Sequence, residues 1–491
     1  MIGDCKHQEP LFIIPGSLRD LIPDDHILKQ ADRVLDLSWL RETVKDRYCL
    51  TNGRPSVPPE CALRLMLAGF FLNLVHDREL LRQAQVNIAI RWFAGYGLHD
   101  RLPHHSTLSV IRDRWGEELF QEVLLRSVRQ CVVAGLVSGE TVHVDATLIR
   151  ADVSWESLVK EYAEQAMAEN PVPEEEPTPD PPAGQAVSGS KRRKAAKEKK
   201  RSKTDPEASM ATSCRQKHLA PCFKQHTVVD DQAGVIVDVA VTTGETSEGL
   251  QLPEQLTRVT ETLGRQPTTV TADSGYGHAA NYQMCEARGI DAVIPPQRMG
   301  RRKHERLPAR RFRYDAKHKR VRCPGKRVLQ LVRENKQGQV FQAQASDCAR
   351  CPLRARCFDA TKQHARVIVI TPGYEALLRA RRRKAQGYDE DTRNSYRRHR
   401  WRSEGAHGEA KTRHGLGRAV RRGLVNVSIQ ASLTAAVMNW KRLARHAAAA
   451  ILATWRRKWA RFAPQPAPTR PSVGPTARTS ASAAGSLRLA A

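Results

Sequence analysis

Two acidic residues in this sequence lie where a sheet could bring them together. Asp145 falls inside the β-branched run 142–149, and Asp273 ends the apolar run 268–273. An acid in an apolar strand is costly unless it is paired, protonated or bound to a metal, and open α/β sheets place ligand groups at the carboxyl ends of their strands. Taken alone, each acid also fits a structural role, as a strand-end acid or as the start of an Asp-Ser-Gly turn.

A third acid, Glu404, is predicted on one face of a helix. At about 100° per residue, a stripe of side chains falls within about 40° of Arg400. The stripe contains Arg400, Glu404, His407, Lys411 and His414. Glu409 points to the opposite side. The same pattern would suit a solvated face with ion pairs, and Gly405 and Gly408 weaken the helix prediction.

Three acids from two strands and a helix could hold two divalent ions roughly 3.5 to 4 Å apart. Such a pair of ions activates a nucleophile and stabilises the leaving oxygen at a phosphodiester. Carboxylate oxygens suit Mg²⁺, which prefers hard ligands. Arg400 and Lys411, beside the acid on the helix, would then bind DNA phosphates.

The overall charge agrees with a polyanionic partner. Lysine and arginine number 80 against 52 acids, which gives a net charge of +28 and a pI near 10.0. Nucleic acid is therefore the first candidate partner. Neither a membrane span nor an export signal is recognisable, so the prediction is a cytoplasmic protein without a membrane partner. In that reducing compartment, clusters among the 11 cysteines favour metal sites over disulfides.

The helices and strands that must position these residues are predicted from the sequence, and together they indicate a mixed α/β protein. Helical periodicity covers 59–74 and 106–133, with Ser106 as the expected N-cap. Further predictions are a strand at 142–149, a hairpin of 224–230 with 234–243 that pairs with it, a helix at 248–263, and a βαβ unit of strands 268–273 and 289–295 around helix 278–288.

Composition divides the chain into five parts. These are a helical N-terminal domain (1–140), the first part of an α/β core (141–296) interrupted by a disordered charged insertion (163–213), a basic insertion bearing cysteines (297–365), the C-terminal helices of the core (366–462) and a disordered tail (463–491).

Several phrases of the sequence resemble the DDE transposases of bacterial insertion sequences, in the branch with a helical N-terminal domain and a cysteine-bearing insertion. They are Asp77-Arg78-Glu79-Leu80, Arg91-Trp92-Phe93, Pro103-His104-His105-Ser106-Thr107, Val144-Asp145-Ala146-Thr147 and Ala272-Asp273-Ser274-Gly275-Tyr276. The broader family's signature of tyrosine, arginine, glutamate and lysine matches Arg400, Glu404 and Lys411. Its tyrosine position holds Arg397, with Tyr396 next to it.

The resemblance implies an RNase H-like catalytic core in which Asp145, Asp273 and Glu404 meet at one edge and bind Mg²⁺ or Mn²⁺. It implies an enzyme that cuts at the ends of its own insertion sequence and joins the freed 3′ hydroxyls to target DNA. Double-stranded DNA would be the partner, residues 1–140 would bind it, and synapsis of two ends would favour a homodimer. The expected location is the bacterial cytoplasm, in association with the nucleoid.

Four cysteines resemble the insertion of the same branch. They are Cys323, Cys348, Cys351 and Cys357. Cysteine pairs at such spacing can close a tetrahedral Zn²⁺ site with a structural role. Four buried thiols without a metal are the alternative.

Two other functions fit the same residues. A structure-specific nuclease would use the same three acids, and a former transposase could persist as a DNA-binding regulator without catalysis. A tyrosine recombinase is excluded, because Tyr396 is the last tyrosine in the chain and no nucleophile follows it. The sequence also contains no P-loop motif for a nucleotide phosphate.

Overall fold

The computed structural model describes residues 16–49, 56–154, 158–160, 200–211, 219–297, 307–335, 338–358 and 364–460. Side chains are not described for 158–160, 200–201, 310 and 450–460. The predicted disorder of 463–491, 163–199 and 212–213 concerns residues outside these ranges. Within them, no helix combines the length and the apolar character needed to cross a membrane.

The N-terminal region is helical, as predicted. Its helices are α1 (Ile27–Asp32), α2 (Leu40–Val44), α3 (Pro59–Phe71), α4 (Asp77–Val86), α5 (Ile88–Phe93) and α6 (His105–Val133). The predicted N-cap of α6 is wrong. His104 is the cap, because its side chain accepts the hydrogen bond from the backbone N–H of Ser106. Gly116, with φ of 70°, interrupts the helical backbone inside α6.

A mixed sheet follows these helices. The strands are β1 (Thr141–Arg150), β2 (Leu158–Lys160), β3 (Lys200–Ser202), β4 (Ser209–Ala211), β5 (Ala220–Asp230), β6 (Ile236–Thr243), β7 (Thr269–Ala272) and β8 (Asp291–Val293), with helices α7 (Leu252–Leu263) and α8 (Ala279–Ala287). The main sheet has the order β4-β5-β1-β7-β8, and β6 also pairs with β5. The strands β1, β7 and β8 are parallel, as the predicted βαβ unit requires, whereas β5 runs antiparallel to β1 and β6.

Part of the insertion predicted to be disordered is ordered. Residues 200–211 lie within 163–213, yet β4 pairs with β5 and extends the main sheet. Asp205 is buried, and its carboxylate accepts from the backbone N–H of Gly423. The prediction failed because composition does not register pairing with a strand that lies elsewhere in the sequence.

The cysteine-bearing region folds around a small sheet of its own. The elements are β9 (Arg313–Asp315), β10 (Arg320–Arg322), β11 (Val328–Asn335), β12 (Gly338–Gln342), α9 (Ala345–Ala349), α10 (Arg354–Cys357) and β13 (Val367–Ile370). The strand order is β13-β12-β11-β10-β9, and Val321, Leu329 and Phe341 are fully buried beneath it. The edge strand β13 lies beyond residue 365, where the sequence suggested that this region ends.

Three helices complete the described chain: α11 (Tyr374–Gln386), α12 (Glu390–Arg413) and α13 (Leu424–Ala460). The chain divides into a unit of Met1–Arg445 and a second unit of His446–Ala491, in which residues 446–460 are helical. In the first unit, the N-terminal helices, the main sheet and α13 share one hydrophobic core. The buried Asn439 side chain joins them. It donates to the Ser127 hydroxyl on α6 and to the Ile236 carbonyl on β6, and it accepts from the Ile236 N–H.

A half-buried carboxylate joins α12 to α13. Glu409 accepts from Lys441 Nζ at 2.6 Å and from the Arg442 guanidinium at 3.3 Å. Burial alone would raise the pKa of Glu409, but hydrogen bonds from His414 and Lys441 outweigh it and hold that pKa well below its usual range. This cluster fixes which face of α12 turns toward α13.

We expect Glu409→Gln to destabilise the protein by about 2 to 4 kcal/mol at pH 7, because Lys441 would stay buried without its counter-charge. The lowered pKa in the folded chain means that the carboxylate stabilises fully above its ordinary pKa of 4.5 and progressively less below it. Urea unfolding should therefore show a cost that is largest near neutral pH and shrinks below about pH 5.

Glu390→Gln, at the exposed start of the same helix, provides the control for this measurement. Equal losses in both variants, or a cost independent of pH, would contradict the assigned role of Glu409.

Candidate active site

Asp145 and Asp273 leave neighbouring parallel strands side by side. Val144 of β1 pairs with Ala272 of β7; Asp145 is the next residue of β1, and Asp273 is the first residue after β7. Asp145 Oδ1 accepts from the Ala146 N–H at 2.8 Å, and Asp273 Oδ1 accepts from the Gly275 N–H at 2.7 Å. The strand register alone therefore brings the two carboxylates together.

Glu404 approaches them from α12, which packs against β1, β5 and β7. The pKa of Asp145 is raised to about 7, first by burial and then by the negative charges of Asp273, Glu248 and Glu404. The structure thus brings the three predicted acids into one electrostatic cluster. The Glu404 carboxylate is 63% exposed and accepts from Arg400 Nε at 3.0 Å.

Two more side chains on the predicted stripe reach the cluster. His407 is buried; its Nε2 lies 3.2 Å from the Thr227 hydroxyl and its Nδ1 lies 3.6 Å from Asp145 Oδ2. Burial, and next the charge of Lys411, lowers the pKa of His407 to about 4, so the ring is neutral at pH 7. Lys411 is half-buried, and Asp145 is the acid that partly offsets the lowering of its pKa by burial.

The predicted phosphate ligands differ in their surroundings. The Arg400 side chain is 80% exposed and pairs with Glu404, whereas Lys411 is half-buried near Asp145. As placed in the described residues, no three histidine, cysteine, aspartate or glutamate side chains are spaced to hold a metal ion. Glu404 turns toward Arg400, so it would have to rotate to join the aspartates.

The sequence did not single out Glu248 as a site residue. It begins the 3₁₀ turn Glu248–Leu250 that follows β6, and it adds to the charge that raises the pKa of Asp145. The only signal available was an acid shortly after a strand of the sheet, which is too common to be informative.

Tyrosines line a cleft of about 610 Å³ beside Asp273. Tyr396 and Tyr388 form part of its wall, together with Lys384. Tyr396 also stacks on His399, with ring centroids 5.8 Å apart. Arg397, which occupies the tyrosine position of the family signature, is exposed instead. Tyr396 is therefore the aromatic residue that the structure brings to the site.

The four predicted cysteines gather in the small sheet region. A β carbon on Gly325 would lie 3.6 Å from both Cys323 Sγ and Cys351 Sγ. Cys348 and Cys357 are buried. Burial raises the pKa of the Cys357 thiol, and Cys348, Cys351 and Cys323 raise it further. The other three thiols therefore lie near Cys357.

Clustered carboxylates at the edge of a mixed sheet are typical of enzymes that use divalent ions on phosphodiesters. Comparison with known families agrees with this class. Residues 16–114 match the family described as a transposase domain (DUF772), and residues 322–444 match the family described as a transposase DDE domain. Both matches support a DDE transposase of the insertion-sequence type.

Solved structures provide a weaker comparison. The Mos1 transposase paired-end complex with left transposon end shares 11% identity at a TM-score of 0.16, and the alignment covers 52% of this chain and 65% of that one. The Mos1 strand transfer complex shares 11% identity at 0.17, covering 77% and 85%. No curated protein matches this chain.

The raised pKa of Asp145 predicts that its charge destabilises the metal-free protein. Because the folded pKa of about 7 exceeds the ordinary 3.8, the penalty is absent below about pH 4, grows as the pH rises and is complete above pH 7. In the presence of a chelator, Asp145→Asn should unfold at a higher denaturant concentration at pH 8 and show little difference at pH 4.

Asp152→Asn, which removes a partly exposed acid just beyond β1 that pairs with Arg418, is the comparison for Asp145→Asn. If Asp145→Asn proved less stable than wild type at pH 8, the electrostatic account of the cluster would be wrong.

Proposed function

We propose that the chain is a metal-dependent transposase that cuts DNA at the ends of its own insertion sequence and joins the freed 3′ hydroxyls to target DNA. The observation that supports the proposal is that Asp145 and Asp273 lie side by side through the pairing of β1 with β7, with the charge of Glu404 near enough to raise the pKa of Asp145. Burial and like charge raise the pKa of Asp145 to about 7, so the cluster favours a bound cation.

Mg²⁺ or Mn²⁺ is the proposed cofactor, and the donor set fits it, because carboxylate oxygens are the ligands such ions prefer. Asp145, Asp273 and Glu404 would hold the ions, with Glu404 rotating away from Arg400. When bound, such ions supply Lewis-acid activation of the attacking oxygen and stabilisation of the leaving oxygen.

The remaining side chains would orient the acids and the DNA. His407 is neutral and buried between Thr227 and Asp145, so it can hold the Asp145 carboxylate without neutralising it. We propose that Lys411 and Arg400 bind phosphates of the DNA. Arg400 would then exchange the Glu404 carboxylate for a phosphate, which also releases Glu404 toward the aspartates.

The proposal extends to the architecture and partners. An RNase H-like core is supported by the antiparallel strands β6, β5 and β1 beside the parallel strands β7 and β8. The net charge of +28 supports double-stranded DNA as partner, with the N-terminal helices contributing to its binding. A homodimer that holds two element ends, acting on DNA in the bacterial cytoplasm in association with the nucleoid, completes the proposal.

Purified protein incubated with duplex DNA carrying the flanks of its own gene should nick that DNA at defined positions with Mg²⁺ and not with chelator. Glu404→Gln should reduce nicking by at least about 100-fold, because loss of one acid misplaces the reacting groups and a shift of about 1 Å can cost that much. Nick positions and rates would be read on sequencing gels.

Glu390→Gln, an exposed acid on the same helix, should leave the rate unchanged. Nicking without joining to a second DNA would favour the structure-specific nuclease. Binding of DNA with no cleavage under any metal condition would overturn the transposase proposal in favour of a DNA-binding regulator.

We also propose a structural Zn²⁺ at Cys323, Cys348, Cys351 and Cys357. Support comes from the donor type and from the gathering of these thiols around Gly325 beside the core of the small sheet. The thiols would have to draw closer than they are placed, since no group of three in the described residues has the spacing for a metal. Such a site would hold β10 to the short helices α9 and α10.

Elemental analysis of the purified protein should find about one Zn²⁺ per chain, as expected for a four-thiolate site. Cys348→Ser and Cys357→Ser should each abolish it and increase protease cleavage between residues 307 and 370. Cys285→Ser, in a buried position on α8, is the control and should retain the metal. Wild-type protein without Zn²⁺, isolated in zinc-supplemented medium, would refute this site.

A further inference from the structure

Glu248 carries a charge close to the second aspartate. A β carbon on Gly275 would lie 2.8 Å from Asp273 Oδ1 and 2.8 Å from Glu248 Oε2. The two oxygens are therefore no more than twice that distance, 5.6 Å, apart. Only the missing side chain of Gly275 leaves room for both carboxylates to point into the same space.

The influence of Glu248 extends to the first aspartate. Among the acids that raise the pKa of Asp145, Glu248 ranks after Asp273 and ahead of Glu404. Its side chain is 29% exposed, so it lies at the edge of the cluster and not beneath it. The negative charge of Glu248 therefore raises the pKa of Asp145, as the charges of Asp273 and Glu404 do.

A buried tyrosine provides an independent sign of a ligand. Tyr276 is 0% exposed, and its phenol oxygen has no hydrogen-bond partner among the described residues. Burial raises the pKa of Tyr276, and the charges of Asp145, Glu248 and Asp273 raise it further, so the phenol lies near these three acids. An unpartnered buried hydroxyl is costly, which is understandable if a bound ion's water or a phosphate oxygen accepts from it.

We propose that Glu248 is a fourth carboxylate of the divalent-metal site and that the Tyr276 phenol faces the space where the ligand binds. This inference rests on the proposed function, because it adds to the site formed by Asp145, Asp273 and Glu404. With four carboxylates, Asp273 and Glu248 can serve one ion while Asp145 and Glu404 serve the other, an arrangement that three acids allow only by sharing.

A simpler role for Glu248 would be to neutralise Lys224, whose Nζ lies 3.3 Å from Glu248 Oε1. The two roles predict opposite effects of removing the lysine. If Glu248 binds the cation, loss of the competing positive charge should leave Mn²⁺ affinity unchanged or increase it. If the ion pair itself maintains the local structure, Lys224→Met should weaken Mn²⁺ binding as much as Glu248→Gln does.

The test is titration of the full-length protein with Mn²⁺ alone, with free Mn²⁺ followed by electron paramagnetic resonance. Glu248→Gln should weaken binding at least about tenfold or remove one of the bound ions, as loss of groups that support a metal typically does. Glu254→Gln is the matched control, because it removes an exposed acid of α7 that forms its own ion pair with Arg258.

Tyr276→Phe tests whether the phenol hydroxyl contributes to ligand binding or to the stability of the fold. Because the hydroxyl has no partner among the described residues, its removal should leave the melting temperature unchanged or raise it, while Mn²⁺ binding weakens by about threefold to tenfold. A clear loss of thermal stability with unchanged Mn²⁺ binding would contradict the orientation proposed for the phenol.

The outcomes separate this inference from the function on which it rests. Normal Mn²⁺ binding by Glu248→Gln, together with loss of binding by Asp145→Asn, would overturn the role of Glu248 and leave the three-acid site intact. Equal weakening in Glu248→Gln and Lys224→Met would also overturn it. Normal binding by Asp145→Asn and Asp273→Asn would overturn the metal site of the proposed function itself.

Discussion

The rotational setting of α12 is the constraint on which the site depends. Glu409 faces α13, where it is held by Lys441 and Arg442. At about 100° per residue, Glu404 lies about 140° around the helix from Glu409, on the side of the aspartates. A rotation by one residue would withdraw Glu409 and leave the buried Lys441 without a counter-charge. The ion pairs of Glu409 with Lys441 and Arg442 therefore place Glu404 on the side of α12 that faces the aspartates.

Lys441 and Arg442 can set the rotation of α12 only because α13 is itself fixed in the core. Asn439 ties α13 to α6 and to β6 through its side-chain amide. His414, at the end of α12, donates to the Phe70 carbonyl of α3. The N-terminal helices therefore share the core of the sheet and support α12 from behind, which is a tighter association than a separate N-terminal domain would provide. Their packing contributes to the geometry of the acids even where they contact no ligand.

The sequence predicts the position of a site residue where its neighbours in the chain determine that position, and not where distant contacts do. Asp145 and Asp273 follow short apolar runs, and helical periodicity distinguishes Glu404 from Glu409, so these positions could be inferred from neighbouring residues. The role of Glu248 could not be inferred in this way, because its approach to Asp273 depends on the turn after β6 and on the space left by Gly275. Likewise, order in β4 arises from pairing with β5, which composition alone does not encode.

The four acids around the site differ in whether a cation is paired with them. Arg400 pairs with Glu404 and Lys224 pairs with Glu248, whereas the described residues include no lysine or arginine within ion-pair distance of Asp145 or Asp273. Glu404 and Glu248 are therefore each paired with a cation, whereas Asp145 and Asp273 repel each other, and burial together with this repulsion raises the pKa of Asp145. Because a cation would relieve this repulsion, the features that are least favourable for folding are the ones that favour binding a divalent ion.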